Sequence, residues 1–262
     1  MTERDQNQLY HTLAYIYDEV MEEVNYEAWA DFIDEVIHTH HAHPYKMLEL
    51  ACGTGTMSIS LEELGDYEIV ATDKSPVMIE MARQKKRESW SKIRFEVQDF
   101  LNIQLDEQFD VVFCVFDSIN YLHEPDQIHQ LFREVQNVLK PDGIFIFDFT
   151  TPRNSVKAID FLNNEEGHAP NHYRFFRRSE YDARKQIHYN IFDIEKMDVD
   201  DKKVVNRHQE VHEQRIYTLR EMMNIIDASD YKILAKYDGF DLVEANDKSL
   251  RITMVLQCPT IQ

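Results

Sequence analysis

The chain has 262 residues, a length that predicts one large domain or one domain with a sizeable insertion. It is 43% hydrophobic and contains 15 Phe, 13 Tyr and 2 Trp, enough to fill a substantial core. A net charge of −20, from 48 Asp and Glu against 28 Lys and Arg, disfavours unassisted binding to nucleic acids or anionic membranes, although a local basic patch would still permit RNA binding.

The first 40 residues carry apolar side chains at helical spacing and predict an N-terminal helical segment. After residue 45, short apolar runs alternate with amphipathic stretches, which is typical of βαβ units in a parallel sheet covered by helices on both faces. The predicted strands span residues 46–51, 68–72, 93–97, 109–116 and 144–149, and the predicted helices span 56–64, 76–88 and 126–139.

The pattern changes after residue 150. Residues 173–181, 186–195 and 204–217 form three extended segments separated by polar turns, which predicts a small antiparallel layer. A helix over 218–228, opened by a capping box, and strands at 231–237 and 251–257 then follow. We therefore predict one α/β domain built from residues 1–150 and 218–262, with residues 151–217 as an insertion.

One apolar strand runs directly into a glycine turn and a helix, in the sequence Met47-Leu-Glu-Leu-Ala-Cys-Gly53-Thr-Gly55-Thr56. The glycines permit a sharp turn and close approach of a ligand, and the helix N-terminus offers free N–H groups to an anion. The next strand ends at Asp73, whose carboxylate can accept hydrogen bonds from ribose hydroxyls. An ordinary tight turn is the simpler alternative.

Two further features bear on the ligand of this turn. A dinucleotide-binding motif would have a third glycine at the position of Ser58, so a nicotinamide oxidoreductase is disfavoured but stays open. The third strand ends in Gln98-Asp99-Phe100, where a carboxylate followed by an aromatic ring can hold an adenine by its amine and its ring face.

Taken in order, these motifs resemble the class I S-adenosylmethionine-dependent methyltransferases. The resemblance covers residues 45–150 and includes Asp73-Lys-Ser-Pro-x-Met78, the strand 109–116 and Leu139-Lys-Pro-Asp-Gly143. Tyr10-x-x-x-Ala14-x-x-Tyr17-Asp18 and His212-x-x-Arg215-x-Tyr217 are similar to a subgroup of small-molecule and sugar-amine N-methyltransferases. The fold implied is a Rossmann-like, seven-stranded, mostly parallel sheet with N-terminal helices and an antiparallel β insertion over the acceptor site.

The resemblance implies S-adenosylmethionine as the cofactor. The residues implied to bind it are Tyr10, Tyr17, Glu49, Gly53, Gly55, Asp73, Lys74, Met78, Asp99, Phe100 and Phe116. The two glycines would border the methionine moiety, and Glu49 would lie near its amino group. Phe116 would lie beside the sulfonium, and the two tyrosines would form a lid over the cofactor. Ala51 stands where the family often has another glycine, and we expect little effect because alanine is nearly as small.

Methyl transfer needs a positioned nucleophile and, for some acceptors, a base. The loop after the fourth strand supplies Tyr121 and Asp117 as candidate catalytic residues, with His123 behind them, because ligands lie beyond the carboxyl ends of parallel strands. Capping or packing is the simpler alternative for each. His212 and Arg215 are three apart on a strand, so we expect them on opposite faces and favour structural roles over a place in the acceptor pocket.

Other conspicuous residues have plainer interpretations. Histidines 38, 40, 41 and 43 follow a predicted helix and suit its negative dipole end, and no Cys or carboxylate pattern completes a metal site. The segment 173–178 mixes aromatic and basic residues as RNA-binding surfaces do, but a solvated strand face is the favoured interpretation. Cys52, Cys114 and Cys258 are odd in number and far apart, which predicts reduced thiols.

These observations predict a cytoplasmic enzyme, a monomer or homodimer, without a membrane span or a signal peptide. The function predicted is methyl transfer from S-adenosylmethionine to a small-molecule acceptor, with N-methylation favoured over O-methylation. The alternatives are an RNA or protein methyltransferase and a non-catalytic protein that binds S-adenosylmethionine.

Overall fold

The computed structural model describes residues 9–257, so Cys258 lies outside the described residues. A 3-10 turn over Leu13–Ile16 precedes the first helix, and a second over Ser118–Tyr121 follows the fourth strand. The seven α-helices are α1 (Tyr17–Val20), α2 (Tyr26–His40), α3 (Thr56–Glu62), α4 (Pro76–Ser89), α5 (Pro125–Val138), α6 (Pro152–Leu162) and α7 (Leu219–Asp227). None of the helices in this part of the chain is long and apolar enough to cross a membrane.

Twelve strands form two sheets in residues 9–257. The strands of the main sheet, in spatial order, are β11 (Asp241–Glu244), β10 (Lys232–Asp238), β12 (Arg251–Gln257), β5 (Leu139–Thr150), β4 (Phe109–Cys114), β1 (Lys46–Leu50), β2 (Glu68–Asp73) and β3 (Arg94–Val97). The pairs from β3 to β5 are parallel, whereas β12, β10 and β11 add antiparallel pairs at one side. The predicted α/β class with a mostly parallel sheet is confirmed.

The central strands are mostly apolar because helices cover both faces of the sheet. Every residue of β4 is buried, and alternate residues of β1 enter opposite cores: Leu48 packs with Val112 on one face, and Met47 packs with Val111 on the other. Polar groups for a site are therefore concentrated where these strands end.

The sheet has eight strands rather than the predicted seven. The additional strand, β11, has four residues, all exposed, and pairs only at the edge of the sheet. It carries no alternation of buried and exposed side chains, so no hydrophobic pattern predicts it.

The second sheet has the order β6 (Glu165–Ala169), β7 (Tyr173–Asp182), β8 (Ile187–Met197) and β9 (Val204–Arg215), all antiparallel. Three of these strands match the predicted extended segments, whereas β6 and the preceding helix α6 were not predicted. β6 is polar, and α6 buries only Ser155. Phe175, Phe192 and Ile194 of this sheet pack on Leu13 and Ile16 and hold the N-terminal segment against it.

Gly55 shows why the turn after β1 needs glycine. Its φ is +79°, and a Cβ there would lie 2.6 Å from the Phe95 ring. We expect Gly55→Ala to lower the free energy of unfolding by about 1–2 kcal/mol for the left-handed backbone and about 1–3 kcal/mol more for overlap with Phe95.

Urea unfolding measures this loss, and Gly239→Ala is the matched control. Gly239 has a φ of +64° but no atom within 4 Å of the added Cβ, so only the backbone cost should appear. Equal losses in the two variants would show that Phe95 moves aside freely.

Candidate active site

A cavity of about 750 Å³ opens at the carboxyl ends of β1, β2 and β3. Its walls include every residue of the predicted cofactor set except Gly55: Tyr10, Tyr17, Glu49, Gly53, Asp73, Lys74, Met78, Asp99, Phe100 and Phe116. Gly55 instead allows the turn to pack against Phe95 and Ala82 behind the cavity. The volume lies in the range of small-molecule and cofactor sites.

Asp73 connects the two loops that form the floor of this cavity. Its Oδ2 accepts a hydrogen bond from the Gly53 N–H at 2.9 Å, and its Oδ1 accepts one from the Ser75 N–H at 2.8 Å. Burial raises its pKa, while these two N–H donors lower it. Each carboxylate oxygen keeps a further lone pair for a ligand hydroxyl.

Ala51 lies in the same turn with a φ of +55°. The expectation that alanine changes little here was wrong in one respect. Size is not the constraint, because the left-handed backbone costs a Cβ-bearing residue about 1–2 kcal/mol.

The far end of the cavity is lined by Asp99, Phe100 and Lys74. Lys74 Nζ lies 2.8 Å from Asp99 Oδ2, and the Leu101 N–H donates to Asp99 Oδ1 at 2.9 Å. The Asp99 carboxylate is thereby fixed in place beside the half-buried Phe100 ring. A planar base could lie against this ring while its amine donates to the carboxylate.

Glu49 is the one acidic side chain inside the buried part of β1, and only 2% of it is exposed. Ser58 Oγ donates to its carboxyl group. Burial raises the pKa of Glu49 from 4.5 to about 8, against the lowering effect of the Ser58 hydroxyl. A cationic group placed in the cavity would favour the ionised form.

The N-terminal segment closes over this cavity through Tyr10 and Tyr17, whose ring centroids are 5.9 Å apart. Ser75 Oγ donates to the Tyr10 carbonyl at 3.0 Å. Asp18 accepts a hydrogen bond from Thr54 Oγ1 at 2.6 Å and forms an ion pair with Lys85. The segment is thus attached to the glycine turn, to the loop after β2 and to helix α4.

A second cavity, of about 570 Å³, lies beside the first between the N-terminal segment, α6 and the antiparallel sheet. Tyr10, Tyr17, Phe116 and Tyr121 line both cavities and form the wall between them. A molecule in each cavity would therefore meet at these four rings.

The candidate catalytic residues lie in different cavities. Tyr121 lies in the shared wall, and its hydroxyl is 2.6 Å from the Tyr10 hydroxyl and 3.1 Å from His212 Nδ1. Burial raises the pKa of Tyr121. Asp117 lines only the second cavity, where its carboxylate pairs with Arg251, and His123 lines the first cavity and hydrogen-bonds the Glu213 carbonyl at 2.9 Å.

His212 and Arg215 have different environments. Arg215 forms an ion pair with Glu221 at 3.0 Å, as the structural interpretation predicts. His212 instead lines the second cavity and contacts Tyr121, so the pocket alternative describes its position. Among residues 9–257, no group of three or more His, Cys, Asp or Glu side chains is arranged to hold a metal ion.

Sequence reasoning missed three charged residues of this region, Arg177, Arg251 and Glu210. Arg251 joins the carboxylates of Asp117 and Asp148, and Arg177 joins Glu165 at 3.0 Å. Of these, only Glu210 carried a usable signal, since it lies two residues before His212 on one strand and must share its face. Arg177 belongs to the basic segment 173–178, whose pattern did not point to this site, and Arg251 comes from a distant strand with no signal.

Comparison with known proteins agrees with this geometry. Residues 47–143 match a family model described as a methyltransferase domain. YqeM of Bacillus subtilis (strain 168), which is named as a methyltransferase, is 29% identical over 248 residues, 93% of this chain and 95% of that protein. A solved S-adenosylmethionine-dependent methyltransferase from Clostridium acetobutylicum ATCC 824 aligns with a TM-score of 0.75 and 27% identity, covering 95% and 98% of the two chains.

These matches indicate an S-adenosylmethionine-dependent methyltransferase. S-adenosylmethionine is accordingly its expected cofactor. The methyltransferase also shares its fold with the sugar N-methyltransferase KedS8 from Streptoalloteichus sp ATCC 53650, at a TM-score of 0.70 and 18% identity over 92% of each chain.

The raised pKa of Glu49 makes the stability of the free methyltransferase depend on pH. The unfolded chain loses this proton near 4.5 and the folded chain near 8, so the free energy of unfolding should fall as the pH rises between these values. We expect Glu49→Gln to remove this dependence and to be more stable than wild type by a few kcal/mol above pH 8.

Urea unfolding at pH 5, 7 and 9 measures the effect, and Glu180→Gln, at an exposed position of β7, is the control. A pH dependence as steep in Glu49→Gln as in wild type would contradict the assignment, since Asp148, whose pKa is also raised, accounts for only part of it.

Proposed function

We propose that the protein transfers a methyl group from S-adenosylmethionine to a small-molecule acceptor, with N-methylation favoured over O-methylation. The observation that carries the proposal is the pair of cavities that share the wall of Tyr10, Tyr17, Phe116 and Tyr121. One cavity has groups suited to a nucleoside and an amino acid moiety, and the other has room for a second small molecule.

The first cavity fits the cofactor on three counts. Asp73 would hold the ribose hydroxyls, Asp99 and Phe100 would hold the adenine, and the buried Glu49 carboxyl would meet the cationic amino group. The unusual burial of Glu49 supports this assignment most directly, because a carboxylate there has only Ser58 as a side-chain hydrogen-bond donor in the described structure. Gly53 leaves room for the methionine backbone.

When bound, S-adenosylmethionine supplies an electrophilic methyl group on a sulfonium. The protein contributes position and exclusion of water. Tyr10 and Tyr17 cover the cofactor cavity, and Phe116 and Tyr121 direct the acceptor from the other side. Fixing two reactants in this way can supply about 7–11 kcal/mol of the barrier, and the chemistry that remains is removal of the nucleophile's proton.

The charges around the second cavity support an amine acceptor. Two carboxyl groups, Asp117 and Asp148, share the single guanidinium of Arg251, and the charge of Arg177 is already paired with Glu165. Burial and the Asp117 carboxylate raise the pKa of Asp148, with Arg251 opposing them. The surplus of carboxyl groups would attract a cationic acceptor and repel a phosphorylated one.

An RNA acceptor has less support. The arginines of the segment 173–178 are paired with carboxylates: Arg174 with Glu195, Arg177 with Glu165, and Arg178 with Asp193. The segment therefore presents little uncompensated positive charge to a phosphate backbone.

Asp73→Asn tests the cofactor site. We expect the affinity for S-adenosylhomocysteine, measured by calorimetry, to fall at least tenfold because a ribose acceptor and the contact to Gly53 are both weakened. Asp110→Asn is the control, since Asp110 is buried and ion-paired with Lys140 at the opposite end of the sheet. Unchanged affinity in Asp73→Asn would overturn the ribose assignment.

The acceptor class is tested with methyl-labelled S-adenosylmethionine and a cell extract separated into small-molecule, RNA and protein fractions. We expect label in the small-molecule fraction, in a product whose NMR spectrum shows an N-methyl group. Label in RNA or protein would replace the proposal by one of those two alternatives. Bound cofactor with no label in any fraction would support a non-catalytic binding protein.

A further inference from the structure

A line of hydrogen-bonding groups leads from the wall between the two cavities into the antiparallel sheet. The Tyr121 hydroxyl lies 3.1 Å from His212 Nδ1, and the His212 ring is only 2% exposed. On its other side, His212 Nε2 is buried, has no hydrogen-bond partner among residues 9–257, and faces Glu210 Oε2 at 3.5 Å.

Glu210 is held as a carboxylate at this position. Its Oε1 accepts hydrogen bonds from the Thr12 and Leu13 N–H groups at 2.6 and 2.8 Å, and its Oε2 accepts one from the Tyr10 N–H at 2.9 Å. These donors and His212 keep the pKa of Glu210 below its usual value although burial opposes them. Glu210 therefore presents negative charge to His212 Nε2.

This polarity fixes the roles of the two imidazole nitrogens. An N–H at Nε2 is favoured because it points at a carboxylate, which leaves the lone pair at Nδ1 free to accept from the Tyr121 hydroxyl. A hydroxyl, an imidazole and a carboxylate in this order form the arrangement that activates nucleophiles in many enzymes. Here the hydroxyl lies where an acceptor would meet the cofactor.

We propose that Tyr121, His212 and Glu210 form a relay that takes the proton lost by the methyl acceptor. The proposal rests on the proposed function and adds the proton acceptor for it. Tyr121 is the catalytic residue that touches the acceptor, His212 receives the proton through it, and Glu210 positions and stabilises the resulting imidazolium.

The proposed step transfers one methyl group and one proton. The nucleophile forms its bond to the methyl carbon while the methyl–sulfur bond breaks and its electron pair stays on sulfur. The nucleophile's N–H or O–H bond breaks, its proton passes to the Tyr121 oxygen, and the original Tyr121 proton passes to His212 Nδ1. The imidazolium later returns a proton to water.

The surroundings of His212 contain few other titratable groups. Tyr10 from the N-terminal segment packs on the ring with centroids 4.6 Å apart, and Phe192 of β8 lies at 5.7 Å. The Arg177 guanidinium of β7 lies over the Phe192 ring, 5.2 Å from the ring centroid, and its charge is paired with Glu165. Glu210 is therefore the charged group that His212 faces directly.

The tautomer of His212 tests the relay without any turnover. The ¹⁵N NMR spectrum of the wild-type protein with S-adenosylhomocysteine should show a neutral His212 ring with its proton on Nε2 and none on Nδ1. His129, on α5, lies away from both cavities and donates from Nε2 to the Ile225 carbonyl. The His129→Asn and His212→Asn variants assign the signals of the two rings. A neutral ring protonated at Nδ1 would overturn the relay.

The second test compares variants in the labelled-methyl assay on the small-molecule fraction. Wild-type turnover should depend on pH, because the relay needs a free lone pair at His212 Nδ1 to accept the proton. We expect His212→Asn and Tyr121→Phe to lose about 10²–10⁴-fold in rate and to lose that pH dependence, with affinity for S-adenosylhomocysteine within twofold of wild type. His129→Asn should keep both the rate and the pH profile.

The other possible results distinguish failure of the relay from failure of the proposed function. A pH profile that persists in His212→Asn would overturn the relay, as would a loss of rate explained entirely by lost cofactor affinity. Failure of the wild-type protein to bind S-adenosylhomocysteine would instead overturn the proposed function. If His212→Asn does not fold, Tyr121→Phe and the wild-type tautomer decide the question.

Discussion

Burial of the central strands on both faces is the constraint on which the rest of the structure depends. β1 and β4 have no exposed face, so their side chains are apolar and functional groups are displaced to the carboxyl ends. Glu49 is the exception within β1. Its carboxyl group is buried at the cost of a raised pKa, and a cation in the adjoining cavity would relieve that cost.

The antiparallel sheet contributes to the site through one carboxylate with two sets of contacts. Glu210 accepts hydrogen bonds from the backbone of Tyr10, Thr12 and Leu13 and also faces His212. The closed position of the N-terminal segment and the electrostatics of the second cavity are thereby coupled. Displacement of the segment would remove the Tyr10 hydroxyl from Tyr121 and the N–H donors from Glu210 together.

Much of the fold was predictable because local patterns and tertiary structure agree. Continuous apolar runs predicted β1, β2, β4 and β5, and the alternation of runs with amphipathic stretches predicted the parallel order. β6, β11 and α6 were missed since they are polar or exposed and bury almost nothing. Such elements form because a neighbouring strand or cap is present. That neighbour lies elsewhere in the sequence, so the local pattern cannot predict the element.

The sequence by itself determined the end of the first cavity that we propose for the cofactor. The glycine turn, Asp73 and Asp99 each follow directly on a strand, and parallel strands bring their carboxyl ends together. It also placed Tyr121 in the loop after β4. Only the tertiary structure decided what Tyr121 touches. The other charged groups of this region, His212, Glu210 and Arg251, lie more than 85 residues further along the chain. Their approach depends on how the second sheet packs on the N-terminal segment. That packing follows from side-chain shape and burial rather than from spacing in the sequence.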